Sequence, residues 1–259
     1  MHVEEIPRTP APAKKPETEI AKRFAGDTAG HRMIVLHDDG LYRHIRFKNY
    51  VLCNDAEYRP GYSCYWFDLI TWPGSLTING DCGTFTFSRI TDMFEFFRSR
   101  YGINPQYWAE KLRAPEPSGA KKYSPDLFRR QVAEEVTEAA EDYPGLAAAI
   151  EEQFYGTWAE WNTEYEDGAR RALDEFKFAP EGMPCPACKA DGVVAILVPE
   201  RPFSDTLKCP EGCGTTVEPF HFVDTWEWDL QDYDWWFLWC CHAIQWGIAM
   251  YDASRAVTA

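Results

Sequence analysis

The sequence predicts an α+β protein: an antiparallel N-terminal sheet with covering helices, a helical C-terminal half, and a small cysteine-bound module. Three observations predict it. Apolar residues alternate with a period of two between Met33 and Ser88. From Phe128 onward they recur at i and i+4 instead. Four cysteines fall in two close pairs within "CPACKADGVVAILVPERPFSDTLKCPEGC". The 259 residues, 45% hydrophobic and 15% aromatic, suffice for one large domain or two modest ones.

Residues 1–25 form a polar, Pro-rich tail, expected to be disordered to about Thr18. It lacks the apolar stretch of a secretory signal. Residues 26–113 carry the sheet and two helices. "MIVLH" and "LYRHIRF" flank "DDG", a hairpin signal in which Gly40 supplies a positive φ. In the second strand Leu41, Ile45 and Phe47 lie on one face, and Tyr42, His44, Arg46 and Lys48 on the other. "CYWFDLITW" is too apolar for an edge strand. "SLTIN" and "TFTFS", joined by "GDCG", complete a sheet of four or five strands. "TDMFEFFRSRYG" opens on a Thr91 or Asp92 cap, and "NPQYWAEKL" on Asn104 with Pro105 at its first helical position. These two helices are expected to cover the sheet's apolar face.

Residues 114–122, "APEPSGAKK", read as a linker. Residues 123–179 plus 223–259 form the helical, acidic part. Ser124 caps a helix whose stripe is Phe128, Val132, Val136 and Ala140. "DYPG" breaks it, and Leu146, Ile150 and Phe154 face inward on the next helix. "TEYE", Thr163 to Glu166, has the pattern of a capping box before Tyr165, Ala169, Leu173 and Phe176. A short strand is expected near "EPFHFV". The segment Trp235–Tyr251 is apolar over seventeen residues, the lower limit for a membrane span. His242 and Gln245 within it, and acids before it, favour a buried core helix.

Residues 180–222 hold Cys185, Cys188, Cys209 and Cys213, in the pattern C-x2-C-x20-C-x3-C. Two short turns deliver two thiolates each, the tetrahedral set that Zn²⁺ prefers. The pattern resembles a zinc ribbon, with "VVAILV" and "EPFHFV" supplying strands, although the second turn is one residue longer than usual. Four thiolates leave no open coordination position, so the expected zinc is structural. The other cysteines, including adjacent Cys240 and Cys241, are irregularly spaced, which fits reduced thiols in a cytoplasm.

No phosphate-binding loop, serine-hydrolase elbow, HExxH helix or dinucleotide fingerprint is present. His37 and His44, with Arg46, Asp68 and Asp81, could line a polar active site on the sheet. A solvated polar face gives the same pattern. The net charge of −15 is unevenly placed: residues 1–122 balance at +2 and residues 123–259 at −17. Between Asp126 and Glu175 there are 14 acids against 4 Arg and no Lys. Such a surface argues against nucleic acid as its ligand and suits a protein partner with a basic surface.

"YWFDLITWPGSLTINGD", "FTFSRITDMFEFFR", "INPQYWAEKL" and "DTWEWDLQDYDWWFLWCCHAIQWGIAMYD" resemble a family of uncharacterised proteins encoded by phages and prophages. The resemblance covers most of residues 31–175 and the closing helix. It implies a mobile-element gene expressed in a bacterial cytoplasm, with the cysteine module as an insertion. It carries over no catalytic residue. The expectation is therefore an accessory protein that binds a host protein, for example of a defence system. The alternatives are an enzyme using the sheet face, or a nucleic-acid-associated zinc-ribbon module.

Overall fold

The computed structural model describes residues 17–49, 64–99, 102–115, 117–157, 159, 161–179, 207–208, 213, 216–217 and 219–258. It is mixed α+β, and it divides into two compact units, Met1–Lys122 with Tyr233–Ala259, and Tyr123–Asp232.

The first unit begins with helix α1 (Glu17–Thr28). Six strands follow: β1 (His31–Asp39), β2 (Tyr42–Asn49), β3 (Phe67–Trp72), β4 (Ser75–Gly80), β5 (Gly83–Ser88) and β6 (Leu112–Ala114). They form one antiparallel sheet in sequential order. The expected turn at Gly40 has φ +62°. Between β5 and β6 lie α2 (Met93–Phe97) and α3 (Pro105–Ala109), both capped as expected, by Asp92 and Asn104. Each is shorter than its sequence pattern, and the end of the second becomes the sixth strand.

The tail expected through residue 25 gives way earlier. In α1, Ile20 and Phe24 are one helical turn apart and both are buried, which ties the helix to the core.

The second unit contains α4 (Pro125–Ala139), α5 (Leu146–Tyr155) and α6 (Glu166–Glu175). Its core joins Phe128, Val132 and Val136 of α4 to Leu146, Ile150 and Phe154 of α5. Ala169, Ala172 and Leu173 of α6 complete it with Phe176, Phe220 and Phe222. Ala140 is exposed, so the α4 stripe ends at Val136. The capping box does not form. The Thr163 hydroxyl donates to the Phe154 carbonyl at 3.1 Å, α6 starts at Glu166 without a side-chain cap, and Tyr165 is 68% exposed. The segment read as a linker includes a 3₁₀ turn at Pro117–Ala120 and strand β7 (Lys121–Tyr123). Strands β8 (Leu207–Lys208) and β9 (Thr216–Val217) pair with each other, Phe178 bridges to Phe220, and β10 (Gln231–Tyr233) pairs with β7.

The chain closes with α7 (Trp235–Thr258). The expected grouping of 223–259 with the acidic helices differs from what is found: α7 belongs to the sheet unit and does most of the covering expected of α2 and α3. Phe237 packs on Phe85 with ring centroids 5.5 Å apart, and Trp246 on Phe47 at 5.3 Å. Gly247 permits this approach, since a Cβ there would stand 2.8 Å from Leu69 Cδ1. An apolar helix on an apolar sheet face buries both surfaces, worth about 1.5–3 kcal/mol per large side chain. Among the described residues no helix is long and apolar enough to cross a membrane.

Candidate functional site

The alternation of β2 and β3 builds a polar cluster on the sheet face opposite α7. Ile45, Phe47, Phe67 and Leu69 are buried in the core. The residues between them, His44, Arg46 and Asp68, therefore point the other way. Arg46 stands directly across from Asp68 in the ladder. Its Nε and Nη2 donate to the two carboxylate oxygens at 2.8 Å each. His44 Nε2 lies 2.8 Å from Asp68 Oδ2. Asp68 is only 3% exposed, so both partners are needed to compensate its burial. Burial alone would raise its carboxyl pKa. The hydrogen bonds and charges of Arg46 and His44 outweigh that and hold it below the usual range. The Arg46 guanidinium also lies 5.4 Å from the centre of the Trp66 ring.

Of the five residues that the sequence offered for this face, the structure brings three into direct contact. His37 is the cross-strand neighbour of His44. Asp81 is separated from them, in the turn between β4 and β5. It lines a cleft of about 380 Å³ with Cys82, Lys122, Asp234 and Trp236. Sequence reasoning missed that cleft, because Lys122 and Asp234, which form an ion pair, are far apart in the chain. Chemically, an ionised Asp68 accepts from His44 when Nε2 carries a proton, and in the neutral tautomer of that kind Nδ1 keeps its lone pair. Among the described residues Asp68 is the hydrogen-bond partner of the His44 ring, so the arrangement orients an imidazole.

The acidic surface is the second candidate. Residues 123–232 carry 24 Asp/Glu against 8 Lys/Arg. Glu134, Glu138, Glu141 and Asp142 are exposed along and after α4, as are Glu151 and Glu152 on α5. Arg129 pairs with Glu164 at 3.1 Å and Arg170 with Glu166 at 3.5 Å.

Of the proposed zinc ligands, Cys185, Cys188 and Cys209 lie outside the described residues, as does "VVAILV", and Cys213 is exposed. Among the described residues no group of three His, Cys, Asp or Glu is placed to hold a metal ion. Elsewhere, Cys82, Cys240 and Cys241 are buried. Burial pushes the Cys82 thiol up to about 12, and holds those of Cys240 and Cys241 well above their ordinary value, which keeps all three protonated and unreactive.

The fold and its sites thus define an α+β protein with a polar cluster on one sheet face and an acidic second unit. In comparisons with protein-family models, curated proteins and solved structures, nothing matches this chain.

Proposed function

We propose that the protein is a phage or prophage accessory protein that works in a bacterial cytoplasm by binding another protein. Its partner presents a basic surface to residues 123–232, and a host defence component is the class of target that this reading favours. The observation that carries the proposal is the way charge divides. One unit holds 24 acids against 8 bases, and the other holds 17 against 18. Acids so crowded repel one another and cost the fold stability, while the same field speeds association with a cationic partner.

The test replaces Glu134, Glu135, Glu138 and Glu141 by Gln, which preserves the helix. A pull-down from bacterial lysate supplies the partner, and stopped-flow kinetics compare the two forms. Association should slow several-fold, with a weaker dependence on salt, while dissociation changes little. If the variant associates as fast as the parent, the acids are only a solvated surface.

A structural zinc held by Cys185, Cys188, Cys209 and Cys213 belongs to the same proposal. Its support is the β8–β9 pairing, Leu207 with Val217 and Lys208 with Thr216, two strands that lie on either side of Cys209 and Cys213 in the sequence. An enzymatic role for the sheet face is the second reading, favoured by the convergence of His44, Asp68 and Arg46.

A further inference from the structure

The ladder between β1 and β2 contains one irregularity, and it falls beside the two histidines. From His31 to Val35 each residue faces its partner in regular register, ending with Val35 opposite Ile45. Continued without interruption, that register would set Leu36 opposite His44. Instead the register shifts between Val35 and His37, so that Leu36 is the extra residue and His37 stands opposite His44. Directly opposed residues of an antiparallel pair project from the same face, with Cβ atoms about 4.5–5.5 Å apart. Since Ile45 points into the core, that face is the one away from α7. The bulge leaves Leu36, a large apolar residue, 48% exposed and puts an imidazole in its place.

Asp68 supplies the second, independent observation. It takes the Nε2–H of His44 at 2.8 Å and is itself clamped by two bonds from Arg46. Histidines that ligate metals commonly donate their other ring nitrogen to a carboxylate in this way, which fixes ring and tautomer and raises ligand basicity. In the neutral tautomer that this contact favours, the Nδ1 of His44 offers its lone pair. The His44 side chain is 34% exposed and His37 is exposed, so an ion can reach both.

We propose that His37 and His44 form a two-nitrogen site for a divalent late transition metal ion on the outer face of the sheet, with Asp68 as its positioning residue. The geometry belongs to the sheet unit and does not depend on the acidic surface or on the four-thiolate zinc. Imidazole pairs suit Zn²⁺, Cu²⁺ and Ni²⁺ rather than Mg²⁺ or Ca²⁺. No third His, Cys, Asp or Glu joins them among the described residues. The remaining coordination positions are therefore left to water or to a donor brought by a bound molecule.

The test uses the full chain, isotope-labelled, with Ni²⁺ as a paramagnetic probe read residue by residue through amide line broadening. Broadening should begin around residues 35–39 and 42–46, which separates this site from the cysteine module. Replacing His37 by Asn should raise the Ni²⁺ concentration needed more than tenfold. Replacing Asp68 by Asn should raise it on the order of 10–100-fold, and Asp68→Glu should recover part of the loss. Amide positions outside the site check that each variant is folded. Broadening centred elsewhere, or an unchanged Ni²⁺ requirement in His37→Asn, overturns the site. An unchanged requirement in a folded Asp68→Asn variant overturns it as well.

Discussion

In the unit that carries the sheet, 17 Asp/Glu stand against 18 Lys/Arg, and the charges are matched locally. Arg43 meets Asp92, Arg46 meets Asp68, Arg98 meets Asp252 and Arg255 meets Asp38, all at 2.8–3.0 Å. In the unit of residues 123–232, with 24 acids and 8 bases, such matching is arithmetically impossible. The cores differ as well. The first joins a sheet to a 24-residue helix, and the second is a smaller cluster in which Phe128, Phe154, Phe176, Phe220 and Phe222 predominate. The comparison separates two uses of charge. In one unit carboxylates fix the geometry of the fold. In the other they stand in excess, and only a partner or counterions can neutralise them.

The largest expected effect falls on the acidic unit. Purified protein should contain about one equivalent of zinc by elemental analysis, and Cys209→Ser should lose it. Structural zinc binds with apparent free energies of about 10–16 kcal/mol in zinc-finger peptides, so losing a ligand should disorder the cysteine module. The near-ultraviolet circular dichroism of the sheet unit's tryptophans should persist. A metal-free preparation with the cysteine module still ordered would remove the zinc from the proposal.

The next effect falls on the sheet unit. Trp239 is fully buried, packs edge-on to Phe24 at 5.0 Å and Phe67 at 5.8 Å, and donates from Nε1 to Asp27 at 3.2 Å. Replacing it by Ala should cost about 3–5 kcal/mol in denaturant unfolding. If the two units unfold separately, only one transition should move. A loss below about 1 kcal/mol would contradict the core role of α7.

Much of this architecture is legible in the sequence because it rests on local rules. The alternation of Ile45 and Phe47 with His44 and Arg46 fixes both faces of β2. Gly40, Asp92, Asn104 and Ser124 mark a turn and three caps by their own chemistry. What is not legible depends on distant residues. Thr163 is diverted from its capping role by the carbonyl of Phe154, which only the folded chain brings near. The place of α7 follows from the close approach of Gly247 to Leu69 and Phe47, two strands far away in the chain. The bulge that sets His37 against His44 cannot be read from "MIVLH" alone, since register is a property of the pair. Of the polar site, residue types could be named from the sequence, but not which of them would touch.

The smallest effect tests whether carboxylates of the sheet unit do contribute to its fold. Asp92 accepts from Arg43 Nη1 at 2.9 Å and Nη2 at 3.1 Å, and from the amide of Phe94 at 3.0 Å. Burial alone would raise its pKa, but the Arg43 hydrogen bonds, the Phe94 amide and the charges of Arg43 and Arg98 together hold it below the ordinary value. A depressed folded pKa means that the charged form stabilises the fold. That contribution is complete above the unfolded value, about 3.9, and disappears as pH falls through the lower folded value. Asn caps a helix about as well as Asp, so Asp92→Asn removes the charge while keeping the cap. At pH 7 the variant should lose about 1.5–3 kcal/mol, the range for hydrogen bonds to charged groups. The gap to the parent should hold constant down to about pH 5 and then narrow toward pH 2, because the parent's Asp92 becomes neutral too. Arg43 stays charged throughout and cannot produce this profile. The four Gln replacements on and just after α4 should instead leave stability unchanged or slightly raised, since they relieve repulsion. A gap for Asp92→Asn that is absent at pH 7, or that widens in acid, would place Asp92 among the merely solvated acids and erase the contrast between the units.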